Sequence, residues 1–355
     1  MAWNIFKKTT KKFLGIDIGT SSIKIVELSN EKDKITLENY GQLTLTSEGK
    51  EPFMVFEKSA LLLSDENVAD NIGKVLVEAK INTKDALFSI PDFSTFFTFF
   101  ELPLMNKQEL ASAIQFEARQ HIPIPLSEVV LDWSVVEDNS VSRNKTKTKI
   151  LLVAVPFEII NQYQEISKMS QLRPVSLEAE IFALLRALGK NKKGIIGLID
   201  IGAQSTTFNI IENGKLKMTH SSDISGNELT KILSKSLNMG YNESDELKKK
   251  YGVRVPEMPV GKVLTPLVDL LVNEIKKVSQ NYHQVEGKEP EKIILSGGSA
   301  LLPGLSEYVA NNLKKPVEIG NPFLDISCPA ALEDTLLEMG PSFAIAVGMA
   351  LRGFE

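Results

Sequence analysis

The stretch from Phe13 to Leu28, Phe-Leu-Gly-Ile-Asp-Ile-Gly-Thr-Ser-Ser-Ile-Lys-Ile-Val-Glu-Leu, sets an acid and a glycine turn between two apolar runs. Leu14, Ile16 and Ile18 alternate as in a strand, the run stops at Gly19-Thr20-Ser21-Ser22, and Ile23 to Leu28 resume as a second, β-branched strand. Gly19 lets backbone come close to a ligand, and Thr20, Ser21 and Ser22 offer hydroxyls and amides to an anion. Asp17 repels a phosphate, so its natural partner in such a site is a divalent cation. Taken alone, the pattern equally describes a hairpin with a solvated acid at its turn.

The chain then repeats the pattern. Residues Ile195 to Ile211, Ile-Ile-Gly-Leu-Ile-Asp-Ile-Gly-Ala-Gln-Ser-Thr-Thr-Phe-Asn-Ile-Ile, again run apolar strand, Asp-Ile-Gly, small hydroxylic turn, apolar strand. Two such hairpins, one in each half, can face each other across a cleft and clamp a nucleotide's phosphates with Mg²⁺ from both sides, Asp17 and Asp200 reaching the metal or its waters.

Composition narrows the field. A chain of 355 residues with 43% hydrophobic content suggests about two domains with real cores. The net charge is -5, and no Lys/Arg run is interleaved with aromatics, which sets nucleic acid aside as a partner. Cys328, the only cysteine, rules out an internal disulfide and a cysteine-cluster metal site. There is no Walker A sequence, no Gly-x-Gly-x-x-Gly and no His-Glu-x-x-His, and His121, His220 and His283 are scattered singly and read as structural. No apolar run has a signal peptide's form or the ~18 residues of a membrane span, so the expected location is cytoplasmic. Met1 to Lys12, with Trp3, Ile5 and Phe6 among lysines, reads as a frayed basic terminus or as a short amphipathic membrane contact.

Between the hairpins, Lys34 to Leu45 reads as strand, Ser64 to Ala79 as an amphipathic helix, and Ala86 to Ile90 as a buried strand halted by Pro91. The densest aromatic patch follows, Phe93, Phe96, Phe97, Phe99 and Phe100. In a strand from Phe96 to Leu102, Phe96, Phe100 and Leu102 face one way and Phe97 and Phe99 the other. Such a strand is either covered on both sides by its own domain or lends a face or edge to a partner peptide. Asn106 to Glu109 forms a capping box for a helix ending near His121, before Pro123 and Pro125. Leu131 to Glu137 and Lys149 to Val155 read as strands joined by a polar, mobile loop from Asp138 to Thr148. A helix from Pro156 to Ser170 precedes Glu178-Ala-Glu180 and a helix from Ile181 to Leu188.

In the second half, Asn213-Gly214 marks a tight turn, Ser225 starts a helix running to about Leu237, Asn242 to Val253 reads as a solvated charged helix, and Pro266 to Val285 as a longer amphipathic one. Ser296-Gly297-Gly298-Ser299-Ala300 makes a glycine platform after the strand Lys292 to Leu295, and an apolar helix spans Ala344 to Leu351. The expected units are a tail (1–12), a first lobe (13–90 with 171–193), an inserted subdomain (91–170), a second lobe (194–238 with 288–355) and a smaller subdomain of that lobe (239–287).

Asp17-Ile-Gly-Thr-Ser-Ser, Glu178-Ala-Glu180, Asp200-Ile-Gly-Ala-Gln-Ser-Thr and Ser296-Gly-Gly-Ser-Ala, in that order, resemble the phosphate-1, connect-1, phosphate-2 and adenosine motifs of the actin/hexokinase/chaperone ATPase superfamily. Glu117-Ala-Arg-Gln-His-Ile-Pro-Ile-Pro125, Gly226-Asn-Glu-Leu-Thr230, Asn321-Pro-Phe323 and Pro341-Ser-Phe-Ala-Ile-Ala-Val-Gly-Met-Ala-Leu-Arg352 resemble, within it, the PilM family of type IV pilus assembly. The resemblance implies an α/β, actin-like (ribonuclease H-like) two-lobed ATPase fold with an FtsA-like inserted small subdomain. It implies ATP and Mg²⁺ as cofactors. Asp17, Gly19, Thr20, Ser21 and Lys24 would serve the β-phosphate side; Gly202, Ala203, Gln204, Ser205 and Thr206 would cradle the γ side. Gly226, Asp245, Lys248, Gly297, Gly298 and Ser299 would line the nucleoside, with Asp245 shorter than the glutamate usual there. Asp17 and Asp200 would order the metal, and Glu180, with Asp200 as its competitor, would orient an attacking water in what is at most a slow ATPase.

The implied partner is the cytoplasmic N-terminal segment of PilN, in a groove between the inserted subdomain and the first lobe near Phe96, Phe97, Phe99 and Phe100. Contacts with other inner-membrane pilus and motor proteins, membrane association through that partner, and self-association are implied too. Three rivals share the lobes. An FtsA-type division protein would carry a C-terminal membrane helix, and a GspL-like secretion protein would run on into a transmembrane segment. A small-molecule kinase would need a polar acceptor pocket where this insertion offers phenylalanines.

Overall fold

Residues 10–44, 56–57, 60–61, 64–136, 147–190 and 192–355 are described by the computed structural model. Most of the N-terminal tail, Leu45 and nearly all of the polar loop expected at 138–148 lie outside them. The first half begins β1 (Lys11–Ile18), β2 (Ser22–Glu31), β3 (Lys34–Thr44), a minimal hairpin β4 (Phe56–Glu57) and β5 (Ala60–Leu61), α1 (Asp65–Glu78) and β6 (Asp85–Ile90). It continues with β7 (Phe96–Pro103), α2 (Lys107–His121), β8 (Val129–Val135), β9 (Lys147–Pro156), α3 (Phe157–Met169), β10 (Arg173–Ala179) and α4 (Glu180–Leu184), which runs into a π-helical turn at Leu185–Gly189. The second half contains β11 (Ile195–Ile201), β12 (Thr206–Glu212), β13 (Lys215–Ser222), α5 (Gly226–Leu237), α6 (Tyr241–Tyr251), α7 (Pro259–Glu286), β14 (Lys292–Ser296), α8 (Leu305–Leu313), β15 (Val317–Ile319) and α9 (Glu333–Arg352).

The repeat seen in the sequence is a repeat of topology. One sheet has the order β10-β6-β1-β2-β3, the other β15-β14-β11-β12-β13, so each has three consecutive antiparallel strands flanked by two parallel ones. Register matches as well: Asp17 stands opposite Lys24 and Asp200 opposite Thr207. The central strands are buried on both faces, which is why they read as near-continuous aliphatic runs. Leu14, Ile16 and Ile18 pack with Val68, Ile72 and Val75 of α1 and Tyr163 and Ile166 of α3, while Ile199, Ile201 and Phe208 pack with Leu264, Val268 and Leu271 of α7.

Each sheet's other face is covered by a helix from the other half. Ile181 and Leu184 of α4 pack, with Leu188, on Ile196, Leu198 and Ile294 of the second sheet. Ala346, Val347 and Ala350 of α9 pack on Val26 and Leu28 of the first. The two helices meet where Gly348 passes the carbonyl of Ala183, and α9 lies so close to β1 that a Cβ on Gly15 would fall 1.9 Å from the Ala346 carbonyl oxygen.

The inserted module is a three-stranded sheet, order β7-β9-β8, with α2 on one face. Asn106 caps α2 through Gln108 and Glu109, and Glu109 returns the bond in a complete capping box.

Core packing crosses the expected boundaries at three places. α3, assigned to the insertion, shares its core with α1 and β1, so the module closes near Pro156. Within 239–287, α7 packs on β11 and β12 in the second lobe's core. α9, assigned to the second lobe, covers the first. Two helices also start earlier than expected: α7 at Pro259, which takes the first-turn position, and α9 at Glu333. Pro266, which brings no N–H to the helix ladder, is exposed within α7. The charged α6 likewise turns Ser244 and Lys248 fully inward.

Candidate functional site

The Asp-Ile-Gly turns face each other across a cleft of about 550 Å³, in the range of small-molecule sites. Each turn is closed by the same bond, Gly19 N–H to the Ser22 carbonyl at 3.0 Å and Gly202 N–H to the Ser205 carbonyl at 2.9 Å. Asp17, Gly19, Thr20, Ser21 and Lys24 line one wall, and Asp200, Gly202, Ala203, Gln204 and Ser205 the other. Thr206 does not. Its hydroxyl, fully buried, donates to the Ile224 carbonyl at 2.5 Å, and the next residue along the strand, Thr207, faces the cleft.

The far end is built by the starts of α5 and α6 and the glycine platform. Gly226 and Asn227 donate backbone N–H groups to the carbonyls of Gly202 and Ala203, pinning α5 to the second turn. Gly297 has φ +86°, and a Cβ there would meet the Ile201 carbonyl at 2.5 Å. Gly298 has nothing within 4 Å of its Cβ position, so its flat face opens on the cleft beside Ser299. Asp245 and Lys248 line this end too, with their polar atoms engaged on each other. Lys248 Nζ donates to the Gly226 carbonyl (2.9 Å) and Thr230 Oγ1 (2.6 Å) and pairs with Asp245 at 2.7 Å, while Lys249 takes the other Asp245 oxygen at 2.6 Å. Through Lys248 the network braces Gly226. Asn227, inside the Gly226-to-Thr230 motif, lines this end too, as do Tyr241, Asn242 and Lys249, to which no motif pointed; only their nearness to Asp245 in sequence was a clue.

The floor is acidic. Lys24 Nζ sits 3.3 Å from Asp17 Oδ2, and Ser89 donates to Asp17 Oδ1 at 3.2 Å. Burial and the neighbouring Asp17 push the Asp200 carboxyl up to about 6, against the pull of Ser296 and Lys24. Burial, then the charges of Asp92, Asp17 and Asp200, pushes Glu180 well up. Asp92, absent from every motif, is pushed by burial to about 7. Among the described residues no group of three or more His, Cys, Asp or Glu side chains is arranged to hold an ion by itself.

These raised values bear on stability. Asp200 titrates near 3.8 when unfolded and near 6 when folded, so protonation favours the folded form. The contribution is complete below the unfolded value and is lost as pH rises through the folded one. The protein without ligands should therefore be less stable at pH 8 than at pH 5.5. Asp200→Asn should flatten that slope by about 1 kcal/mol, as measured by urea unfolding at the two pH values.

The four phenylalanines alternate as expected. Phe96 and Phe100 pack against the α2 side, and Phe97 and Phe99 against the core containing α4. Both faces of β7 are thus occupied by the chain itself. Its remaining edge pairs with no strand among the described residues, since β9 is its one neighbour.

Comparison with known proteins agrees with this architecture. A solved "PilM-PilN type IV pilus biogenesis complex" contains a chain 25% identical to this one with a TM-score of 0.83, covering 96% of this chain and 98% of that one. MreB 5 of Spiroplasma citri, solved bound to AMPPNP, superposes with a TM-score of 0.54 at 13% identity, over 97% of this chain and 96% of that one, which shows the actin-like fold. The cell division protein FtsA of Rhizobium meliloti (strain 1021) is 25% identical over 178 residues, 43% of this chain and 39% of its own length. The match to FtsA of Enterococcus faecalis spans 32% of that protein, so these curated relatives are matched over well under two thirds of their length. Among the described residues no helix is long and apolar enough to cross a membrane. The model of the type IV pilus assembly protein PilM family matches residues 15–354, nearly the whole chain, and the chain belongs to that family.

Proposed function

We propose that this chain is a nucleotide-dependent scaffold of a type IV pilus assembly machinery, holding ATP and Mg²⁺ between its lobes and a PilN-type N-terminal segment on its inserted module, at the cytoplasmic side of the inner membrane. The observation that carries the reading is the pair of matched aspartate turns sharing one cleft with a glycine platform. The residues fit the cofactors. Gln204 Oε1 is buried with no hydrogen-bond partner among the described residues, and a water carried by a metal ion would satisfy it. Mg²⁺ keeps several waters and takes one or two carboxylates with the phosphates, which suits Asp17 and Asp200 where, among the described residues, protein ligands alone form no chelating set. When bound, the ion neutralises charge on the phosphates.

The chain's own groups divide the remaining work. The turn amides around Gly19 and Gly202 with Thr20, Ser21 and Ser205 hold the phosphates, Lys24 bridges toward the negative charge, and the Gly297–Ser299 platform takes the nucleoside. Glu180 is the candidate to orient water, but burial among Asp92, Asp17 and Asp200 disfavours the ionised form that a base needs. This favours binding with slow turnover over rapid catalysis. The edge of β7 that pairs with no strand among the described residues suits docking by strand addition, in which main-chain bonds supply affinity.

The test is a calorimetric titration with Mg-ATP. Asp17→Ala and Asp200→Ala are each expected to weaken binding at least about tenfold, or 1.4 kcal/mol. Unchanged affinity in both variants would remove the site assignment, and rapid phosphorylation of a small acceptor would replace the scaffold by a kinase.

A further inference from the structure

The inserted module meets the cleft through its first residues. Pro91 and Phe93 line the cleft. Between them, Asp92 reaches across the chain to the start of α4. Its Oδ1 accepts a hydrogen bond from the Ile181 backbone N–H at 3.1 Å, and its own backbone N–H donates to Glu180 Oε2 at 3.2 Å. The first N–H groups of a helix lack intrahelical partners, and Ala179, the residue preceding α4, has no side chain able to accept from them. Asp92 supplies the missing acceptor from nearly ninety residues away. The acid at the root of the module therefore caps the helix that carries Glu180 into the cleft.

A second grip lies one residue further along. Phe182 of α4 packs edge-on against Phe97 of β7, ring centroids 6.3 Å apart. The first turn of α4 is thus held by the inserted module at one polar and one apolar point, while the same helix rests on the second sheet. Any change in how the lobes close on a ligand displaces α4 relative to one of these two supports.

We propose that Asp92 is a positioning residue that holds Glu180 and couples the cleft to the inserted module, so that nucleotide binding alters β7 and partner docking on β7 alters Glu180 in return. The coupling runs through Asp92 and Glu180 and through Phe182 and Phe97, and it is reciprocal because binding free energies are linked. The proposal rests on the reading of the cleft as an ATP site.

Hydrogen exchange on the full chain, with and without Mg-AMPPNP, tests it without requiring turnover. In the wild type the nucleotide should slow exchange in both turns, 17–22 and 200–206, and also change it in 96–103 and 180–184. Asp92→Asn keeps an oxygen that accepts from Ile181 and should retain the whole response. Asp92→Ala should keep the protection of the turns while the nucleotide-dependent change at 96–103 falls at least about threefold. Phe182→Leu leaves both hydrogen bonds in place and should reduce the same change by about half. A purely structural Asp92 would raise exchange equally in both states and leave the difference intact. Survival of the 96–103 response in Asp92→Ala and Phe182→Leu, or its absence from a wild type whose turns are protected, overturns the coupling. A wild type with no protection at either turn overturns the ATP reading instead.

Discussion

Gly348→Ala is expected to cost the fold about 3 kcal/mol or more, at the upper end of what overpacking does, seen as a lower urea midpoint with an unchanged baseline. A Cβ at this position would lie 2.0 Å from the Ala183 carbonyl oxygen and 2.5 Å from its carbon, and both are backbone atoms with no rotamer to change. Relief requires α9 to move away from α4. α9 is fixed on its other side by the equally close passage of Gly15, where the atoms met are again backbone, Ala346 O and Ala350 N. A shift that relieves one contact therefore disturbs the packing of Ala346, Val347 and Ala350 on the first sheet, and close-packed interiors have little slack to absorb it. Gly73, half-buried on α1 with nothing within 4 Å of its Cβ position, is the matched control: alanine there should be neutral or mildly stabilising.

Gly298→Leu should abolish nucleotide binding while leaving the fold untouched. Gly298 is exposed at the cleft, is absent from the glycines with positive φ, and meets nothing within 4 Å of its Cβ position. A side chain there is neither strained nor crowded, and it projects over the platform assigned to the nucleoside. Affinity for Mg-ATP should fall at least about a hundredfold, 2.7 kcal/mol, with the unfolding midpoint unchanged. Undiminished affinity would mean that the nucleoside does not lie on the platform. The contrast with Gly297, where a Cβ would strike the Ile201 backbone, separates the glycine that shapes the turn from the one that leaves room.

What could be read from the sequence follows from how local each signal is. The two hairpins, the capping box at Asn106 and the alternation of Phe96 to Phe100 depend on neighbours a few residues apart, and they stand as read. Thr206 failed by a single residue. Side chains alternate along a strand, so a one-place error exchanges a cleft-facing hydroxyl for one sealed under Ile224. α6 misled because a charge run describes the average of a helix, while Ser244 and Lys248 turn inward and Lys248 braces Gly226. The fates of α3, α4 and α9 were hidden for another reason. An amphipathic stripe says that a helix needs a sheet to cover, and both sheets here offer the same aliphatic face. Asp92 left no trace, since Pro-Asp-Phe looks like any turn and its partners lie 88 and 89 residues further on.

The exchange of covering helices bears on how the molecule is made. The strands of the first sheet leave the ribosome early, yet one side of that sheet stays wet until residues 333–352 have been synthesised and swing back to it. Neither half is self-sufficient as a folding unit, and a nascent chain must keep an aliphatic surface from aggregating through most of its translation.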